Sequence, residues 1–132
     1  MGFMREAVNA LILREESLLL FKKNLVWILP GGKPKEGESD IESLIREFRE
    51  EASGAEIVPD IYYGSFTGKT PHTGDELRAL VYFARLKQSN QEIVPSGEIN
   101  EVKFAGYFDV FNLNLSDITR KVVRCLIKEG YF

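Results

Sequence analysis

Apolar and polar positions change their spacing several times along the chain, and each change marks an expected element. Residues 7–13 (AVNALIL) read as a strand, Arg14-Glu15-Glu16 as a turn, and residues 17–21 as a returning strand. A short apolar strand follows at residues 26–29 and is ended by Pro30-Gly31-Gly32. A polar loop, residues 33–38, leads into a helix. Residues 55–69 and 77–86 predict two long strands, separated by a turn-rich loop at residues 70–75. Residues 101–108 predict a further strand, and residues 116–129 an amphipathic helix.

The central helix is the best-marked element. Ser39 with Glu42 three residues on forms a capping box, and Asp40 adds favourable negative charge to the first turn. Ile41, Leu44, Ile45, Phe48 and Ala52 recur at helical spacing and define one stripe expected to be buried. Gly54 suits a left-handed stop. Many strands with only two long helices predict an α/β protein, an α/β/α sandwich with a mixed β-sheet. No repeat or low-complexity tract divides it, so residues 1–132 are expected to be a single domain.

Composition narrows the function classes. The chain has 132 residues, is 44% hydrophobic and 28% charged, and carries a net charge of -3. That balance suits a globular fold and argues against a binder of nucleic-acid polymer, which would show a basic stripe. It does not argue against a free nucleotide. The single cysteine, Cys125, cannot form an internal disulfide. The apolar runs are too short to span a membrane, and residues 1–6 carry no leader-like pattern, so the expected location is cytoplasmic with no membrane association.

The candidate chemistry lies on the central helix. At about 100° per residue, Glu47, Glu50 and Glu51 fall within one arc of roughly 100°, away from the apolar stripe. Glu47 and Glu51 are like charges four residues apart, and Glu50 and Glu51 lie where the helix dipole disfavours anions. A divalent cation would reverse both penalties, and Mg²⁺ prefers such oxygen ligands while leaving room for phosphates. A solvated acidic face paired with Arg46 and Arg49 fits the helix alone equally well.

The surrounding spacing goes further. Gly32, five intervening residues, Glu38, seven intervening residues, then Arg46-Glu47-Phe48-Arg49-Glu50-Glu51 match the Nudix box through its first twenty positions. The preceding WILPGG (residues 27–32) and the strand order also resemble small MutT-like Nudix domains. One position departs: the family pattern has Gly where this chain has Ser53, with Gly54 next, which resembles a one-residue extension before the turn.

The resemblance implies Mg²⁺ or Mn²⁺ as cofactor, with Glu47, Glu50, Glu51 and the Gly32 carbonyl as metal ligands. It implies that Arg46 orients a glutamate, that Glu38 supports the helix start or approaches the metal, and that Gly31 and Gly32 allow a tight backbone bend. A glutamate outside the box completes the site or acts as base in many relatives; Glu98 is the first choice here and Glu101 the reserve. The implied activity is attack of metal-activated water on a pyrophosphate bridge, with Glu50 or Glu98 accepting the proton. The expected substrate is a nucleoside diphosphate linked to another group, first a nucleoside triphosphate. ADP-ribose, a nucleotide sugar or a dinucleotide is the alternative, and a non-catalytic nucleotide sensor a rival, although sensors usually lose box acids that this chain keeps.

Other residues have more ordinary readings beside a functional one. His72 suits an exposed loop, or a contact to substrate. Trp27 suits core packing, or a stacking platform for a substrate base. Lys33 and Lys35 could touch phosphates or stay solvated. Tyr62, Tyr63 and Phe66 suit cross-strand packing or a base site. Cys125 suits an inert thiol. The terminal Tyr131-Phe132 could pack on a partner in a homodimer, although a packed chain end is the simpler account.

Overall fold

The computed structural model describes residues 5–71 and 73–132; His72 and the segment 1–4 lie outside the described residues. Eleven elements are formed among them: β1 (Arg5–Leu11), β2 (Leu13–Arg14), β3 (Ser17–Lys23), β4 (Val26–Ile28), β5 (Gly31–Gly32), α1 (Asp40–Glu51), β6 (Ile57–Lys69), β7 (Glu76–Leu86), β8 (Ile99–Ala105), α2 (Tyr107–Val110) and α3 (Asp117–Lys128). One sheet has the order β5-β1-β7-β6 and is mixed, because β1 and β7 run parallel while β5 and β6 join antiparallel. A second sheet centres on β3, which pairs antiparallel with β2, β4 and β8.

Strand alternation divides the core into two layers. Val8, Ala10 and Ile12 point one way and pack with Leu19, Phe21 and the α1 residues Leu44, Phe48 and Ala52. Leu11, Leu18 and Leu20 point the other way and pack with Ile118, Val122 and Leu126 of α3. The sheets therefore lie between α1 and α3, which is the expected helix-sheet-helix layering.

The structure corrects several sequence expectations. The mixed sheet is accompanied by a separate antiparallel one. Gly31-Gly32, expected to end a strand, themselves form β5, with Asn9 opposite Gly31 and Val8 opposite Gly32. The Asn9 side-chain amide donates to the Leu29 and Pro30 carbonyls at 3.2 and 3.3 Å and fastens this turn-like sequence to β1. The strand expected to reach Phe108 stops at Ala105, because the Asp109 carboxylate accepts from the Gly106 N–H at 2.9 Å and starts α2. The buried stripe of α1 is also rotated: Ser43, Leu44 and Phe48 are buried, whereas Ile41 is 38% exposed and Ile45 only half-buried.

The start of α1 forms as expected. The Ser39 hydroxyl accepts from the Glu42 N–H at 3.1 Å, and the Glu42 carboxylate accepts from the Ser39 N–H at 3.0 Å. Such a cap contributes about 1 kcal/mol. At the other end Ser53 (φ 50°) and Gly54 (φ 88°) are both left-handed, so Ser53 adopts a conformation that favours glycine. The Ser53 N–H donates to the Ser96 hydroxyl at 2.7 Å.

Phe48 is the anchor that fixes α1 to the sheets, fully buried with its ring 5.5 Å from that of Phe21. Phe48→Ala is expected to lower unfolding free energy by about 3–5 kcal/mol in denaturant titration, with an unchanged m-value.

Candidate active site

Two carboxylates of α1, those of Glu47 and Glu51, meet β5, and a third, Glu50, is joined to Glu47 through Arg46. The Glu51 carboxylate accepts from the Gly31 N–H at 3.0 Å. Gly31 has φ 141°, and a side chain there would overlap the Val8 carbonyl, so this close approach requires glycine. A Cβ on Gly32 would stand 2.5 Å from the Glu47 carboxyl carbon, so the second glycine leaves the space that Glu47 fills. Glu47 and Glu50 both reach one nitrogen: Arg46 Nη1 donates to Glu47 at 3.0 Å and to Glu50 at 3.3 Å.

Arg46 is the hub of the cluster. Its Nε and Nη2 donate to the two Glu38 oxygens at 2.6 and 2.9 Å, a forked charge-assisted pair, and Nη2 also reaches the Lys33 carbonyl at 3.2 Å. These bonds hold the Arg46 guanidinium well above its ordinary pKa, with Glu38 the largest cause. The same hydrogen bond, helped by the Lys35 N–H, holds the Glu38 carboxyl down at about 2. The Glu51 carboxyl moves the other way: burial pushes it up to about 8, opposed by the Gly31 N–H and reinforced by the neighbouring Glu47 charge.

Glu98 lies in the segment before β8, which is sewn to the end of α1. The Ser96 hydroxyl donates to the Glu50 carbonyl at 2.6 Å, and the Ser96 N–H to the Glu51 carbonyl at 2.9 Å. Glu98 forms an ion pair with Lys23 at 2.8 Å. Glu101 instead sits on β8 beside Lys22, 3.8 Å away.

A cleft of about 340 Å³ opens beside β5. Gly31, Gly32, Lys23 and Lys33 form its near wall, Arg5, Ala7 and Asn9 of β1 its floor, and Lys69, Thr70 and the start of α3 its far wall. Of the expected substrate contacts, Lys33 is in the cleft. Trp27 is not: it is 6% exposed in the core, with Lys22 Nζ 5.8 Å above its ring. A platform for a base needs an open ring face, which Trp27 lacks. Lys35 contributes its backbone to the Glu38 loop. Tyr63 stacks on Phe66 and donates to Glu129 at 3.0 Å, and Tyr62 meets Tyr82 edge-on, so these aromatics serve packing. Cys125 is half-buried on α3, and Tyr131 packs on Phe83 at 5.6 Å. Arg5, Lys23, Asn9 and Lys69 are site residues that sequence reasoning missed; each is an isolated polar residue at a strand end or within an apolar strand, and only the pairing of distant strands gathers them.

The donor set suits a hard divalent cation, since it consists entirely of carboxylate and backbone oxygens. Among the described residues no three acidic groups stand in ready coordination geometry, because Arg46 and the Gly31 N–H hold the carboxylates. Glu47 and Glu51 beside β5, with Glu50 joined through Arg46, offer oxygen donors of the kind such an ion takes.

This fold and site define a Nudix-type domain. The NUDIX domain model matches residues 4–125, and the chain belongs to the Nudix hydrolase family. It is 36% identical over 69 residues to the uncharacterized Nudix hydrolase YvcI of Bacillus subtilis (strain 168), covering 51% of this chain and 43% of that protein. It is 38% identical over 74 residues to the mRNA-decapping protein g5R of African swine fever virus (isolate Warthog/Namibia/Wart80/1980), covering 52% of this chain and 28% of that protein. The matched stretch is thus less than half the length of either curated relative. The fold is that of the MutT protein from Methanosarcina mazei Go1, with a TM-score of 0.80, 23% identity, and coverage of 96% of this chain and 95% of that one. No helix among the described residues is long and apolar enough to cross a membrane.

The Glu38–Arg46 pair predicts a defined acid dependence. Because the folded carboxyl sits at about 2 against 4.5 ordinarily, the contribution of the pair is complete above about 4.5 and is lost as pH falls through about 2. Glu38→Gln should therefore melt below the wild type at neutral pH, with the gap in Tm narrowing as pH is lowered across that window. A gap independent of pH would contradict the assignment.

Proposed function

We propose that this chain hydrolyses a phosphoanhydride in a nucleoside diphosphate linked to another group. The observation that carries the reading is the placement of Glu47 and Glu51 against the Gly31-Gly32 strand at the edge of a cation-lined cleft, with Glu50 joined to Glu47 through Arg46. Glu47, Glu50 and Glu51, with the Gly32 carbonyl, would hold Mg²⁺ or Mn²⁺. A bound ion of this kind supplies neutralisation of the diphosphate and a lowered pKa for the attacking water.

The remaining roles belong to the protein. Arg46 orients Glu47 and Glu50 and is itself fixed by Glu38. Lys23 and Lys33 meet phosphate oxygens at the near wall of the cleft. Glu50 or Glu98 accepts the proton of the attacking water; Glu98 is supported by its attachment, through Ser96, to the end of α1. Gly31, Gly32 and Gly54 shape the backbone around the helix. Within the class, a nucleoside triphosphate is the first candidate, and ADP-ribose, nucleotide sugars or dinucleotides the second. The name of the g5R relative, an mRNA-decapping protein, is consistent with a nucleotide-linked anhydride.

The test is product release from a panel of nucleoside triphosphates, nucleotide sugars and dinucleotides with Mg²⁺. At least one member should be turned over, and Glu51→Gln should lower kcat/KM by about ten-fold or more. Absence of turnover across the panel would favour a nucleotide-binding sensor instead.

A further inference from the structure

The charge of the cleft exceeds what a diphosphate at the carboxylates uses. Arg5, Lys23, Lys33 and Lys69 all line it, and no Asp or Glu does among its described lining residues. In a chain of net charge -3, that gathering of cations is against the overall balance. Acidic neighbours stand outside the lining: Arg5 meets Asp75 at 3.5 Å, Lys23 meets Glu98 at 2.8 Å, and the Lys69 N–H donates to the Asp117 carboxylate at 3.1 Å. The Arg5–Asp75 pair is exposed on both sides, so it holds Arg5 only weakly and an arriving phosphate displaces it at little cost.

Their placement along the cleft separates two ends. Arg5, Ala7 and Asn9 alternate on one side of β1, and all three form the floor. Asn9 is in register with Gly31, next to the carboxylates, whereas Arg5 is in register with Leu77. Four residues of strand separate them, about 13 Å. Leu77 is also opposite Gly68, which brings Lys69 and Thr70 to the Arg5 end. The N-terminal end of α3, with Asp117 in its first turn, closes the same wall through Ser116 and Thr119. The lining also includes the apolar Ala7, Ile28, Leu29, Leu77 and Ile118. A diphosphate at the carboxylates is much shorter than this separation and leaves the far cations unmet.

We infer that the far end of the cleft is a second anion subsite, in which Arg5 and Lys69 hold a phosphomonoester carried on the nucleoside part of the substrate, away from the anhydride. The sugar lies along the apolar floor, the anhydride at the carboxylates and the extra phosphate at the far wall. The preferred substrates are therefore nucleotides phosphorylated at two separate places. The inference rests on the hydrolase reading for the near end of the cleft only.

Matched pairs test it: NADP⁺ against NAD⁺, coenzyme A against dephospho-coenzyme A, and ATP bearing a ribose phosphate against ATP. Each is followed by product release with Mg²⁺ and, separately, by calorimetric binding. At least one phosphorylated member should bind about ten-fold or more tighter than its partner, with any gain in turnover expressed in KM. The double variant Arg5→Gln/Lys69→Gln should erase the preference, and Lys69→Glu should disfavour the phosphorylated member. Both side chains are exposed, and a wild-type Tm confirms that each variant is folded. Equal binding within every pair, or a preference that survives the double variant, overturns the subsite. Turnover without preference overturns the subsite and leaves the hydrolase reading intact. Preference in binding without turnover supports the subsite and overturns the hydrolase reading.

Discussion

The site depends on one short contact between helix and sheet, the hydrogen bond from the Gly31 N–H to the Glu51 carboxylate. It exists because two glycines in succession let β5 run against β1 on one side and against the acidic face of α1 on the other. A Cβ at either position would collide, with backbone at Gly31 and with the Glu47 carboxyl at Gly32. The same strand forms the near wall of the cleft, so the position of the carboxylates relative to the cleft is set by β5.

Around that contact the protein holds like charges together by geometry and by Arg46. Glu38, Glu47 and Glu50 share one guanidinium, which is itself tied to the loop before α1 through the Lys33 carbonyl. Placing the carboxylates this near one another is unfavourable without a cation, and the raised pKa of Glu51 expresses that cost together with its burial. The contact with Gly31 is compensation for a group that the packing of Phe48 drives toward the sheet.

Much of the helix could be read from its own residues. The Ser39–Glu42 cap, the limits of α1 and the box spacing are local features, and they appear where the sequence puts them. The conformation of Ser53 was less legible, since it is left-handed without being glycine and its N–H is met by Ser96, far along the chain. Gly31-Gly32 has turn composition and becomes a strand only because β1 offers it a partner. The basic cleft was invisible for the same reason. Arg5 and Lys69 meet through the register of β1, β7 and β6, and periodicity carries no information on that register. Trp27 shows the converse: its type suggests a platform for a base, and the fold buries it.

The most direct test of the account is anomalous diffraction from crystals grown with Mn²⁺. The account predicts a peak in coordinating contact with Glu47 and Glu51 beside Gly32, with Arg46 moved off the Glu47 oxygen it now holds. A peak elsewhere, or saturating Mn²⁺ with those carboxylates still bound only to Arg46 and the Gly31 N–H, would contradict it.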